Sequence, residues 1–199
     1  MRPLLFATFP LVFALGCTPG SAPAPQAAPT LASAAVSSPP AVSAAPPAPA
    51  TTDLAVGQTA PDFTASDQDG KPVHLAELKG HFVVVYFYPK DETPGCTHEA
   101  CSFRDAWSDL QKKGVVVIGI SADTADSHKA FAKNHQLPFT LVSDPTGDIA
   151  AKYGVPVDAT KGYISRQSFV VAPSGAVKKI YRKVDVTVHA QQIGEDTAS

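Results

Sequence analysis

The sequence predicts an α/β fold for residues 54–199, and three observations predict it. Apolar β-branched runs of strand length alternate along the chain with stretches of helical periodicity, the pattern of strands and helices layered around one core. His81 to Tyr88 is apolar and aromatic without a period of two, as in a central strand buried on both faces. Cys96 to Lys112 holds no Pro or Gly and spaces Phe103, Trp107 and Leu110 at helical intervals, one buried stripe on a helix that follows the strand.

The remaining elements follow in order. Asp62 to Leu75 reads as a hairpin turning at Asp69-Gly70. Val115 to Ile120 repeats the β-branched character of the first buried strand. Phe139 to Val142 and Ser168 to Val171 are further strands, and Pro173-Ser174-Gly175 turns the chain into Ala176 to Tyr181. Ser127 to His135 and Asp148 to Tyr153 are shorter helices, the second stopped by Gly154. Asp123, Asp126 and Asp144 fall where strands end and helices begin, the place of capping residues rather than of acids and bases. The stretch from Ala190 to Ser199 is short and polar for a closing helix.

Composition bounds the rest. A chain of 199 residues that is 44% apolar can bury one ordinary core. Its formal net charge of -2 offers no basic stripe for nucleic acid or for an acidic membrane surface. Met1-Arg2 and the short apolar run to Leu15 have the form of an export signal, too short and too interrupted by Pro3 and Pro10 to span a bilayer. The signal ends in Ala14-Leu15-Gly16-Cys17, which resembles the bacterial lipobox. That resemblance implies a signal over residues 1–17, a lipid on Cys17 and a tether on the periplasmic side of a bacterial membrane, Thr18 favouring the outer one. Ala14 stands where Leu is usual, so ordinary cleavage after Gly16 is the other reading. Residues 18–53 are almost wholly Ala, Pro, Ser and Thr and hold nine of the chain's 19 prolines. Such a segment cannot pack a core and reads as a disordered linker with a reach on the order of 100 Å.

The chemistry sits between the buried strand and the long helix, in Tyr88-Pro89-Lys90-Asp91-Glu92-Thr93-Pro94-Gly95-Cys96-Thr97. Cys96 opens the helix, where unpaired amides and the positive end of the helix dipole favour the thiolate, the nucleophilic form of the side chain. A thiolate so placed can attack the O–O bond of a peroxide if nearby donors hold the departing oxygen. Thr93 is close enough in sequence to point its hydroxyl into the same pocket.

Pro89, Thr93 and Cys96 fall on the Pro-x-x-x-Thr-x-x-Cys signature of the peroxiredoxins. The run from Tyr88 to Cys101, with Phe103-Arg104-Asp105 after it, resembles the Q-type subgroup, the bacterioferritin comigratory proteins. The resemblance extends from about Gly57 to His189 and includes Gly57-Gln58-Thr59-Ala60-Pro61-Asp62-Phe63, Ser121-Ala122-Asp123, Ser143-Asp144 and Tyr153-Gly154-Val155. It implies a thioredoxin-like fold, a mixed central sheet flanked by helices and preceded by the hairpin. It also implies a thiol peroxidase acting on hydrogen peroxide and organic hydroperoxides, without metal or organic cofactor, and a monomer. By position, Cys96 is the peroxidatic thiol, Thr93 hydrogen-bonds the peroxide and Pro89 shields the thiolate from water. Arg166, just before the strand at Ser168, brings a guanidinium to the thiolate and the peroxide oxygens. Cys101 is implied as the resolving cysteine, forming a Cys96–Cys101 disulfide that a thioredoxin-like dithiol reduces. On an intact helix the two α-carbons stand about 8 to 9 Å apart, beyond the roughly 7 Å limit of an unstrained disulfide, so the first turns have to unwind. A lipid on Cys17 leaves one even pair among the three cysteines.

Three other readings use the same residues. An exported copper-binding lipoprotein of thioredoxin-like fold would ligate metal through both cysteines and a distant His, but such proteins space their cysteines four apart and lack Pro89 and Thr93. A thiol-disulfide oxidoreductase acting on proteins would carry Cys-x-x-Cys, which is absent. A permanent structural disulfide would break the helix that holds it. His98, between the two cysteines, lacks the short paired spacing of a zinc site and reads as a solvated side chain.

Overall fold

The computed structural model describes residues 54–198. The signal over 1–17 with Cys17, and the linker over 18–53, lie outside the described residues. The chain begins with the hairpin β1 (Thr64–Ser66) and β2 (Pro72–His74), antiparallel, with Ala65 opposite Val73. Its turn is tied by Asp67, whose carboxylate accepts the amides of Asp69 and Lys71 at 2.8 Å each, and Gly70 supplies the positive φ of +78°. A 3-10 turn at Leu75–Leu78 leads into β3 (Phe82–Phe87). Then come α1 (Pro94–Asp105), α2 (Trp107–Lys112), β4 (Val115–Ser121), α3 (Ala125–His135), β5 (Thr140–Ser143) and α4 (Asp148–Lys152). The chain closes with β6 (Val157–Asp158), β7 (Tyr163–Ile164), β8 (Gln167–Val171), β9 (Val177–Tyr181) and α5 (His189–Asp196).

Five strands form the central sheet in the order β5-β4-β3-β8-β9. β3, β4 and β5 run parallel, joined through α1–α2 and α3, while β8 and β9 pair antiparallel on the other side. The β3 run is apolar throughout because both of its faces are covered. Val83, Val85 and Phe87 enter one core with Ile149 and Ala150 of α4 and with Phe63 and Leu75. Val84, Tyr86 and Tyr88 enter the other with Phe103, Leu110, Phe131 and Ile193, one each from α1, α2, α3 and α5. Phe103 is fully buried 5.1 Å from the Tyr86 ring, and truncating such a residue to Ala costs about 3–5 kcal/mol.

The structure differs from the sequence expectation at several points. The single helix over 96–112 begins two residues earlier, at Pro94, and lapses at Ala106. There the Ala106 carbonyl accepts the amides of both Asp109 and Leu110, a tightened turn that needs neither Pro nor Gly. The polar C-terminal stretch forms α5, which buries His189, Ala190 and Ile193. The small β6–β7 hairpin was not anticipated. Asp144 does cap, its carboxylate accepting the Ile149 and Ala150 amides at 3.2 and 2.9 Å. Asp123 does not: Thr124 caps α3 by accepting the Ser127 amide, and Asp123 binds the Asp91 amide and the Ser121 hydroxyl at 2.8 Å each.

Candidate active site

The site lies beyond the C-terminal end of β3, where parallel α/β sheets gather their functional loops. Tyr88 still donates its amide to the Ile120 carbonyl at 3.1 Å; Pro89, which has no amide to give, then turns the chain away from the sheet and is half-buried. The loop is fastened to α3 at both ends of that helix. Asp91 accepts Tyr88 Oη at 2.8 Å, Ser127 Oγ at 2.7 Å and faces His128 Nδ1 at 2.9 Å. Burial opposes the charge of Asp91, but these donors, His128 foremost, hold its carboxyl below the ordinary aspartate value. Glu92, at φ +60°, accepts Asn134 Nδ2 at 2.9 Å and pairs with His135 Nε2 at 2.8 Å.

Thr93 is the extended residue before α1, and Pro94 fills the first helical position that suits it. Its hydroxyl does not cap the helix; it donates to the Lys90 carbonyl at 3.0 Å. The amides of Gly95 and Cys96 are thereby left without a side-chain cap, and the Thr93 oxygen keeps its lone pairs for another donor. Cys96, in the first turn of α1, is 2% exposed.

Arg166 reaches this sulfur from the residue before β8: its Nη2 lies 3.0 Å from Cys96 Sγ and its Nη1 donates to Glu99 Oε2. Burial works against the guanidinium charge, yet Glu99 and Cys96 hold its pKa above the ordinary value. Glu99 is fully buried, and burial pushes its carboxyl up to about 7 against the pull of Arg166. Behind it stands His189 of α5, its Nε2 at 2.9 Å from Ser168 Oγ and 3.9 Å from Glu99 Oε1. Burial first, and Arg166 second, lower His189 to about 4, so the ring is neutral at neutral pH.

Of the residues singled out from sequence, Cys96 and Arg166 are in direct contact, Thr93 stands at the start of the same helix and Pro89 heads the loop. Cys101 lies on α1 too, half-buried, and both thiols are free. His98 is exposed with Nδ1 at 3.2 Å from the Val186 carbonyl. Sequence reasoning missed Glu99, His189, Asp91 and His128 as parts of the site. Glu99 carried a usable signal, being three residues from Cys96 and so on the same helical face.

Residues 56–180 match a family model described as the AhpC/TSA family. The chain is 50% identical over 125 residues to the chloroplastic peroxiredoxin Q of Sedum lineare, covering 63% of this chain and 67% of that one. The solved peroxidoxin BcpB of Mycobacterium tuberculosis superposes with a TM-score of 0.68 at 31% identity, over 72% of this chain and 96% of that one. The Xanthomonas campestris bacterioferritin comigratory protein, solved in trapped states to explain its alkyl peroxide reduction activity, does so at 0.63 and 31% identity, over 68% and 89%. These likenesses make the mixed sheet with its flanking helices a thioredoxin-like fold.

Proposed function

The chain belongs to the AhpC/TSA family, in its peroxiredoxin Q group, and is a thiol-dependent peroxidase; from that premise we propose that Cys96 is the thiolate that attacks the peroxide. The observation that carries the reading is the 3.0 Å contact of Arg166 Nη2 with the buried Sγ in the first turn of α1. The thiolate attacks one peroxide oxygen, the O–O bond breaks, and the sulfur is oxidised to a sulfenic acid. The departing hydroxide or alkoxide takes up a proton and leaves as water or alcohol. Arg166 and the uncapped amides at the start of α1 donate to the peroxide oxygens, where negative charge develops. Thr93, its own proton committed to Lys90, accepts the hydrogen bond of the peroxide O–H.

Cys101 then attacks the sulfenic sulfur, water leaves, and a Cys96–Cys101 disulfide forms, which a thioredoxin-like dithiol returns to two thiols by exchange. Hydrogen peroxide and organic hydroperoxides are the substrates of this reading, the latter in keeping with the activity of the Xanthomonas protein. The test is peroxide consumption with thioredoxin as reductant in Cys96→Ser. Activity is expected to fall to the uncatalysed background; retained turnover overturns the assignment.

The proposal extends to the N-terminal sequence: Met1 to Gly16 directs export, and a lipid on Cys17 tethers a monomeric domain through the Ala/Pro-rich linker on the periplasmic side of the membrane. The sequence Ala14-Leu15-Gly16-Cys17 supports it. Labelling with a radioactive fatty acid should mark the parent and not Cys17→Ala; an unlabelled parent means ordinary signal cleavage.

A further inference from the structure

Among the described residues, Asp91 and His128 form the most deeply buried carboxyl–imidazole contact outside the Arg166 cluster, with side chains 2% and 0% exposed, and the peroxidase steps above do not use it. The ring is held from both sides. Its Nε2 faces the Val142 carbonyl of β5 at 3.2 Å, which can only accept, so that nitrogen carries a proton. Its Nδ1 faces Asp91 Oδ2 at 2.9 Å and Tyr88 Oη at 3.3 Å. Tyr88 spends its proton on Asp91 Oδ1 and Ser127 Oγ donates to Oδ2, so the carboxylate is gripped at once from the residue that follows β3 and from α3. The Asp91 amide is fixed in turn by Asp123 Oδ2 at 2.8 Å.

What this grip controls lies one residue away. The carbonyl of Lys90, adjoining Asp91 in the chain, is the acceptor that turns the Thr93 hydroxyl. We propose that His128 is a positioning residue for the peroxide step: by clamping Asp91 it fixes the Lys90 carbonyl, and through it the orientation in which Thr93 offers its lone pairs to the peroxide. The inference rests on Cys96 being the peroxide-reactive thiol.

Two reactions of Cys96 separate this role from a merely structural one. Oxidation by hydrogen peroxide needs Thr93 in place, whereas alkylation by iodoacetamide needs only a reactive, accessible sulfur. In the double variant Asp91→Ala with His128→Leu both members of the pair are removed, so no buried charge is left alone. Its rate constant with hydrogen peroxide is expected to fall about tenfold or more, the scale of effect that small misplacements of a binding group produce. Its iodoacetamide rate constant stays within about twofold of the parent. Adding Thr93→Val to it should lower the peroxide constant no further than Thr93→Val alone, because both act through one hydroxyl. An unchanged peroxide constant, an equal fall in both reactions, or full additivity with Thr93→Val overturns the proposal. Should the double variant fail to fold, Tyr88→Phe removes one donor to Asp91 without changing shape; a smaller loss in the peroxide reaction alone is expected, and no loss overturns the proposal. A parent protein whose Cys96 ignores peroxide sinks the reading beneath it instead.

Discussion

Arg166 joins two residues of one helical turn, placing Nη2 3.0 Å from Cys96 Sγ while Nη1 donates to Glu99. One planar fork thereby orients the sulfur and the helix that carries it, which a point charge on a flexible stem cannot do. Arg166→Lys is expected to lower the rate constant of Cys96 with hydrogen peroxide about 100-fold, the usual loss for one donor to developing charge. Stopped-flow fluorescence measures it. A rate within about threefold of the parent would mean that the amides of α1 suffice without the fork.

Glu99 makes the stability of the protein depend on pH in an uncommon direction. Its carboxyl is fully buried and raised by that burial from 4.5 to about 7, so between those values the folded chain holds a proton that the unfolded chain has released. The contribution is therefore fully present below the ordinary value and is lost as pH rises through about 7. Relative to Glu99→Gln, the parent should lose about 3 kcal/mol between pH 4.5 and pH 8. Urea denaturation of both proteins across that range gives the difference directly. Parallel stability curves would show that Arg166 keeps Glu99 ionised throughout.

The parts of this molecule that were legible in its sequence are those whose signal is local. β3 reads as a buried strand because its side chains enter two cores, and α1 starts near Cys96 because Thr93-Pro94 is itself a helix start. Arg166 was reached only through family resemblance, since nothing near it in the chain says that a thiol 70 positions away will meet it. Glu99 and His189 are charged or polar types that ordinarily stay at the surface, so their burial follows from tertiary pairing alone. The same holds for Asp91 and His128, 37 positions apart. The lapse at Ala106 was invisible for a different reason: it lies in the hydrogen-bond ladder, not in a residue that breaks helices.

Gly119 carries a packing constraint that the sheet register explains. It lies opposite Tyr86 on one side and Leu141 on the other. A Cβ there would stand 2.7 Å from the Tyr86 ring and 2.8 Å from Leu141 Cδ2. Tyr86 in turn packs on Phe103 of α1, so the strain has a route to the helix that holds the thiol. Gly119→Ala is expected to cost about 1–3 kcal/mol in chemical denaturation, the range for overpacking a filled core. A change below about 0.5 kcal/mol would mean that the Tyr86 ring moves aside freely.

In the proposed cycle, closing the Cys96–Cys101 bond requires the helix between them to come apart, and the contacts of that segment say what is given up. Glu99 must leave its buried pocket and its pairing with Arg166, and Ala100, 1% exposed, must leave the core. In that cycle, oxidation of the sulfur to a neutral sulfenic acid takes the proposed thiolate away from Arg166, while the new disulfide replaces the lost contacts with a covalent one. Trp107, the only tryptophan in the chain, follows this helix by two residues and lies 6.0 Å from the Phe139 ring, so it reports the change. One equivalent of hydrogen peroxide should give two fluorescence phases in the parent, oxidation and then unwinding, with a product two hydrogens lighter. Cys101→Ser should show the first phase alone and retain a sulfenic acid that a dimedone adduct captures. If the parent yields only links between molecules through Cys96, then Cys101 does not resolve the sulfenic acid, and α1 has no reason to unwind.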